Sequence, residues 1–152
     1  MTGQADWLPS PYRFGEGYVD YIDVTQPAAG SNAAVSVPGQ YGLIVLGARA
    51  TLTTSATVAN RLVSLDVINA NSSTRLRNPA PATIPASTTN QRYEFNAAYT
   101  TGASITNGPM VVPVNDLLVP PGWTVQITVD NIAAADQLAS VSMVVFKVPT
   151  GA

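Results

Sequence analysis

The chain has 152 residues, of which 46% are apolar and 11% charged, with a net charge of −2. That length suits one domain with a core large enough to hold without staples. Cysteine and histidine are both absent, which excludes disulfides, thiolate nucleophiles, His-dependent triads and the usual soft-metal ligands.

A charged fraction this far under the usual level of about 25% leaves little surface charge to keep molecules apart. Ala, Thr, Ser, Asn and Val make up much of the remainder, so a good part of the surface is expected to meet protein. The six arginines are scattered, and no basic cluster of the kind that neutralises phosphates is visible, so no nucleic-acid partner is expected. No apolar run approaches the ~20 residues of a membrane-spanning helix, and no membrane partner is expected. Met1 to Asp6 lacks a basic start followed by an apolar stretch, so no secretory leader is expected either.

Residues 1–17 read as an extended arm. Pro9 and Pro11 interrupt ladder pairing, while Trp7, Leu8, Tyr12 and Phe14 are too apolar for a free tail. These four are the candidate partner-binding residues, docking on the arm's own domain or on a neighbour. Residues 18–152 read as a single β-sandwich domain. Tyr18 to Thr25 starts the strands, with Val19 and Tyr21 on one face and Ile22 and Val24 on the other, as suits a strand covered on both sides. Val35 and Val37 suggest a short strand. From Leu43 to Leu52 the alternation predicts Ile44, Leu46, Ala48, Ala50 and Leu52 on one face, with Leu43, Val45, Gly47, Arg49 and Thr51 on the other.

Val63, Leu65 and Val67 alternate with Ser64, Asp66 and Ile68. Thr74 to Arg77 suggests an edge strand, and Pro79 to Asn90 a long loop. Tyr93 and Phe95 share a face. Met110 to Val114 carries Pro113, which favours an edge or a bulge. Pro121-Gly122 suits the centre of a type II turn. Trp123, Val125, Ile127 and Val129 are then expected inward, and Val141, Met143 and Val145 share a face of the last strand. About eight short strands separated by turns, with no sustained helical stripe, predict an all-β, antiparallel β-sandwich of jelly-roll-like type.

Chemistry is thinly supplied. Carboxylates could serve glycoside hydrolysis as a pair, with Glu94 and Asp66 as the test positions, but aromatic platforms are few and no enzyme is expected. Asp20 and Asp23 are three apart on a strand and face opposite ways. Asp130, Asn131 and Asp136 share a loop that could offer oxygens to calcium, but no EF-hand spacing accompanies them; no metal or other cofactor is expected. Lys147, the lone lysine, suggests a charged sheet edge. Arg75 and Arg77 share a strand face that is either solvated or paired with an acidic partner. Asn71-Ser72-Ser73 matches a glycosylation sequon. Tyr41, Tyr93 and Tyr99 are the aromatics a glycan site would need exposed.

The segment Leu117-Leu118-Val119-Pro120-Pro121-Gly122-Trp123-Thr124-Val125-Gln126-Ile127-Thr128-Val129, followed by Asp136-Gln137-Leu138 and the strand from Val141 to Val148, resembles small accessory virion proteins of tailed bacteriophages. In that group a leucine-rich strand, a Pro-Gly-Trp-like turn and two closing strands end a jelly-roll-like sandwich. Trimeric jelly rolls of the tumour-necrosis-factor and complement-globular type share the glycine turn. The virion resemblance implies a capsid decoration or cement protein, a homotrimer on the exterior of the capsid, with the major capsid protein as partner. The other reading is a carbohydrate- or receptor-binding module of a phage fibre or tail.

Overall fold

A computed structural model describes residues 13–14, 17–96, 108–114 and 117–150. Trp7, Leu8 and Tyr12 lie outside them. The described residues form eleven strands, against the eight or so expected: β1 Arg13–Phe14, β2 Gly17–Asp23, β3 Ala33–Ser36, β4 Tyr41–Thr53, β5 Leu62–Ile68, β6 Thr74–Pro79, β7 Gln91–Asn96, β8 Met110–Pro113, β9 Leu117–Val119, β10 Thr124–Asp130 and β11 Gln137–Pro149. The surplus comes from short pieces such as β1 and β9, two and three residues long.

The strands make two sheets. The first runs β1-β2-β11-β4-β7-β8, with β9 also pairing β4, and the second runs β3-β10-β5-β6. All pairings are antiparallel except β7 with β8. Their inner faces close on one core. Leu43, Val45, Leu52, Phe95, Leu138, Met143 and Val145 from the first sheet meet Val63, Leu65, Val125 and Ile127 from the second, all under about 1% exposed. The fold is therefore an all-β sandwich. Each such side chain contributes about 1.5–3 kcal/mol of transfer free energy, which is why the alternating runs settle as strands.

Particular expectations hold. Gly122 sits at φ 76° and the Trp123 amide donates to the Pro120 carbonyl at 3.1 Å, the geometry of a type II turn. Trp123 packs against the core, and Val125, Ile127 and Val129 are buried in it. β6 and β8 lie at sheet edges, where Pro79 and Pro113 cost no ladder hydrogen bond. Asp20 and Asp23 pair with Val145 and Ser142 in the ladder, which places them on opposite faces.

The long strand departs from its pattern. The register of β4 against β11 shifts between Val45 and Gly47, leaving Leu46 as an extra residue. A bulge reverses which side chains face inward. Leu43 and Val45 are thus buried together with Ala48, Ala50 and Leu52, whereas unbroken alternation set the two groups on opposite faces. Ile44 is turned outward with Leu118, its ladder partner. Lys147 is a second correction. Its strand is flanked on both sides, by β2 and β4, so it is not an edge residue; it is half-buried, 2.5 Å from Asp20 and about 5.5 Å from the ring centres of Tyr18 and Tyr41.

One end of the sandwich is closed by a buried ion pair. Arg61 and Asp136 are both 0% exposed. Arg61 donates from Nε to Asp136 Oδ2 at 2.8 Å and from Nη2 to Oδ1 at 3.0 Å, while Nη1 donates to the Thr57 and Ala59 carbonyls. Asp136 also accepts from the Ser55 amide and hydroxyl and the Ala133 amide. The connection from β4 to β5, which crosses from the first sheet to the second, is thereby tied to the connection from β10 to β11, which crosses back. Desolvation alone would raise the Asp136 carboxyl pKa, but the Arg61 guanidinium and the Ala133 and Ser55 donors outweigh it and hold it well below the usual carboxylate range.

Removing one partner leaves an uncompensated buried charge, so Asp136→Asn or Arg61→Met should each cost about 3–5 kcal/mol in urea unfolding. The double variant should lose less than the sum of the two. Since folding lowers the Asp136 pKa, its stabilisation is full above the unfolded value of about 3.9 and is lost as pH falls below it. The urea midpoint should stay level from about pH 8 to 5 and drop below about pH 4, with a shallower drop in Asp136→Asn.

Candidate docking face on the first sheet

The two outer faces of the sandwich differ in chemistry. On the second sheet the outward positions of β10 are Thr124, Gln126 and Thr128, laddered to Ser64, Asp66 and Ile68 of β5 and to Ala34 and Ser36 of β3. Arg77 of edge strand β6 is paired at 2.5 Å with Asp130 and lies 3.8 Å from Asp66. A solvated sheet face needs polar side chains outward and apolar inward, and these positions are mostly polar, although Ser64 and Asp66 are buried.

The first sheet breaks that rule. Val19 of β2 pairs Phe146 of β11, Phe146 pairs Ile44 of β4, and Ile44 pairs Leu118 of β9. Ladder partners share a face, so these four apolar side chains form one row across four strands. They face away from the core, whose inward neighbours are Val145, Val45, Leu117 and Val119. Leu118 is 62% exposed and Tyr21, in the next row beside Val144, is 66% exposed. Gly17 supports the row, since a Cβ there would run into the Phe146 ring.

Beyond Tyr21 and Val144 the face turns polar. The third row carries Asp23, Ser142, Arg49 and Glu94, with Arg49 Nε donating to Ser142 Oγ at 2.8 Å. Between the rows lies an open groove of about 550 Å³, floored at Gly47 and walled by Tyr21, Arg49, Glu94 and Val144. Gly47 has no side chain, and the dip is its consequence. The face is thus an apolar band bordered by a charged strip, the usual pattern of a docking surface with a polar rim.

The chemistry-bearing candidates are not gathered into a site. Glu94 stands on this face while Asp66 is buried on the opposite sheet, so the two do not form a catalytic pair. Both Asp136 oxygens are taken by Arg61, Ser55 and Ala133, and Asp130 is held by Arg77, which removes the calcium loop as a ligand set. Among the described residues no three acidic side chains cluster as metal ligands do. Of the glycan-site tyrosines, Tyr93 is 0% exposed and burial pushes its hydroxyl pKa up, because β7 turns it into the core with Phe95. Tyr41 is half-buried beside Lys147, and Tyr99 lies outside the described residues. Arg75 is exposed on β6, and Asn71 sits in an exposed turn after β5.

Of the arm's residues, Phe14 falls in β1, whose ladder pairs it with Gly17 and Arg13 with Tyr18. Sequence reading missed the apolar row. The signal was present in Leu118, the one apolar residue between two buried neighbours of a three-residue strand, but the row needs the cross-strand register to be seen. Among known proteins, the chain matches no family model, no curated protein and no solved structure.

The energetic test uses three consecutive residues. Leu118→Ser should change stability by no more than about 0.5 kcal/mol in dilute urea unfolding. Leu117→Ala, with the side chain buried, should cost about 2–5 kcal/mol. Val119→Ala should also destabilise clearly.

Proposed function

We propose that this protein is a structural subunit that works by being packed against other protein, most specifically a decoration or cement protein on the exterior of a bacteriophage capsid. The observation that carries the reading is the apolar row Val19–Phe146–Ile44–Leu118 on an outer sheet face, beside Tyr21. A face of this kind is a cost to a solitary molecule and a gain to an assembled one. A chain with only 11% charged residues supports the same view.

The strand order supports a jelly-roll assignment. β2 pairs β11, β3 pairs β10, β4 pairs β9 and β5 pairs β6, and successive pairs alternate between the two sheets. That is a long two-stranded ribbon rolled on itself, with β7 and β8 added beside β4. Jelly rolls are common in viral capsid proteins and in lectins. The fold alone does not choose between those roles; the half-buried apolar row that ends at exposed Leu118, beside exposed Tyr21, favours the structural one. The resemblance of the Leu117 to Val148 segment to phage accessory proteins adds the particle, the homotrimer and the major capsid protein as partner.

Light scattering of the purified protein should give a mass several times that of one chain, with three chains the expected number, and empty phage capsids should take up the protein. Leu118→Arg should shift the mass toward one chain. A wild-type monomer at every concentration that also ignores capsids contradicts the proposal.

A further inference from the structure

We infer that the groove beside Tyr21 is a binding site for a neutral oligosaccharide, with one sugar ring against Tyr21 and its hydroxyls on Arg49, Glu94 and Asp23. This would be a further function of the first sheet's outer face. It goes beyond the structural-subunit reading and does not rest on it, although Tyr21 borders both the groove and the apolar row.

The ladder sets the shape of the groove. Tyr21 and Asp23 are two residues apart on β2, so their rows stand about 7 Å apart at ~3.3 Å per residue. Gly47, in line with Tyr21 and Val144, leaves the floor without a side chain. The resulting space of about 550 Å³ is of the size usual for small-ligand sites. Along the charged row, Asp23, Ser142, Arg49 and Glu94 cross three strand spacings, about 14 Å at ~4.8 Å each. A second dip of about 310 Å³ shares Arg49 and Glu94 and carries on to Arg92 and Ser140. The groove is therefore long and open, as suits a chain of linked rings.

The charges select the ligand. Asp23 and Glu94 repel an anion, Arg49 and Arg92 repel a cation, and the four sum to zero. Among the described residues none of the four is ion-paired with another, so donors and acceptors stand side by side. Arg49 is oriented by the bond from its Nε to Ser142 Oγ at 2.8 Å, which leaves its two Nη groups as a fork. A carboxylate accepts from hydroxyls and a guanidinium donates to them, and a sugar ring offers adjacent hydroxyls to both. Tyr21, 66% exposed, adds a flat apolar surface for the C–H face of the ring, with a polar tip. A peptide fits less well. The strands β11 and β4 beneath the groove are flanked on both sides, so a peptide backbone finds no sheet edge to join there.

The test is a glycan array carrying neutral, sialylated and sulfated chains, probed with dilute protein, with titration calorimetry on the strongest hit. Neutral chains should bind. Tyr21→Ala and Arg49→Ala should each weaken that hit roughly tenfold, the loss expected for one good contact. Arg49→Lys, which keeps the charge but not the fork, and Glu94→Gln should weaken it as well. Leu118→Ser, on the neighbouring row, should leave the affinity unchanged, and unaltered urea midpoints should show every variant folded. An array without a neutral hit overturns the inference, as does binding confined to charged chains. A neutral hit that survives both Tyr21→Ala and Arg49→Ala overturns it too, and so does a peptide library that binds through these residues where no sugar does. Sugar binding by a protein that light scattering finds monomeric keeps this site and removes the subunit reading; an oligomer that binds no sugar does the reverse.

Discussion

The bidentate pair between Arg61 and Asp136 fixes the geometry on which the sandwich depends. A loop that leaves the first sheet at Thr53 and one that re-enters it at Gln137 are joined by a guanidinium and a carboxylate with no access to water. Desolvating both ions is costly, and the pair is kept because every remaining donor and acceptor is met. The Thr57 and Ala59 carbonyls, the Ser55 amide and hydroxyl, and the Ala133 amide complete the set. Its effect is to set where β4 ends and β11 begins. These are the two longest strands, and they pair along nearly their whole length.

From that register the outer face follows. With β11 fixed against β4, the bulge at Leu46 turns Ile44 outward and brings it level with Phe146, while β9 adds Leu118 and β2 adds Val19. The same sheet has its charges displaced to the row of Asp23, Arg49 and Glu94. The second sheet has no such division; its outward residues are mostly polar, with Ala34 and Ile68 among them and Ser64 and Asp66 buried. The two outer faces therefore differ in chemistry.

Much of this was legible in the sequence, and the failures have physical reasons. Alternation placed Val125, Ile127, Val129, Val141, Met143 and Val145 in the core, because those strands are regular and half-covered. The Pro-Gly turn was readable because only glycine takes a positive φ there cheaply. Strict alternation misassigned Leu43 and Val45, since one inserted residue inverts the pattern and a bulge leaves no mark in composition. Arg61 and Asp136 are 75 positions apart, and neither looks different from a surface charge until the loops are brought together. Tyr93 was put among exposed aromatics, although its own alternation with Phe95 already pointed inward. The apolar row is the clearest case. Its four members come from four strands, and no local window contains two of them.

Hydroxyl-radical footprinting, read residue by residue in a mass spectrometer, measures the covering of this face directly. Labelling at Tyr21 and Leu118 should fall several-fold between dilute and concentrated protein. Leu76, 47% exposed on the second sheet's edge strand, should label equally in both. Equal labelling of all three residues at every concentration, and again on capsids, would contradict the account.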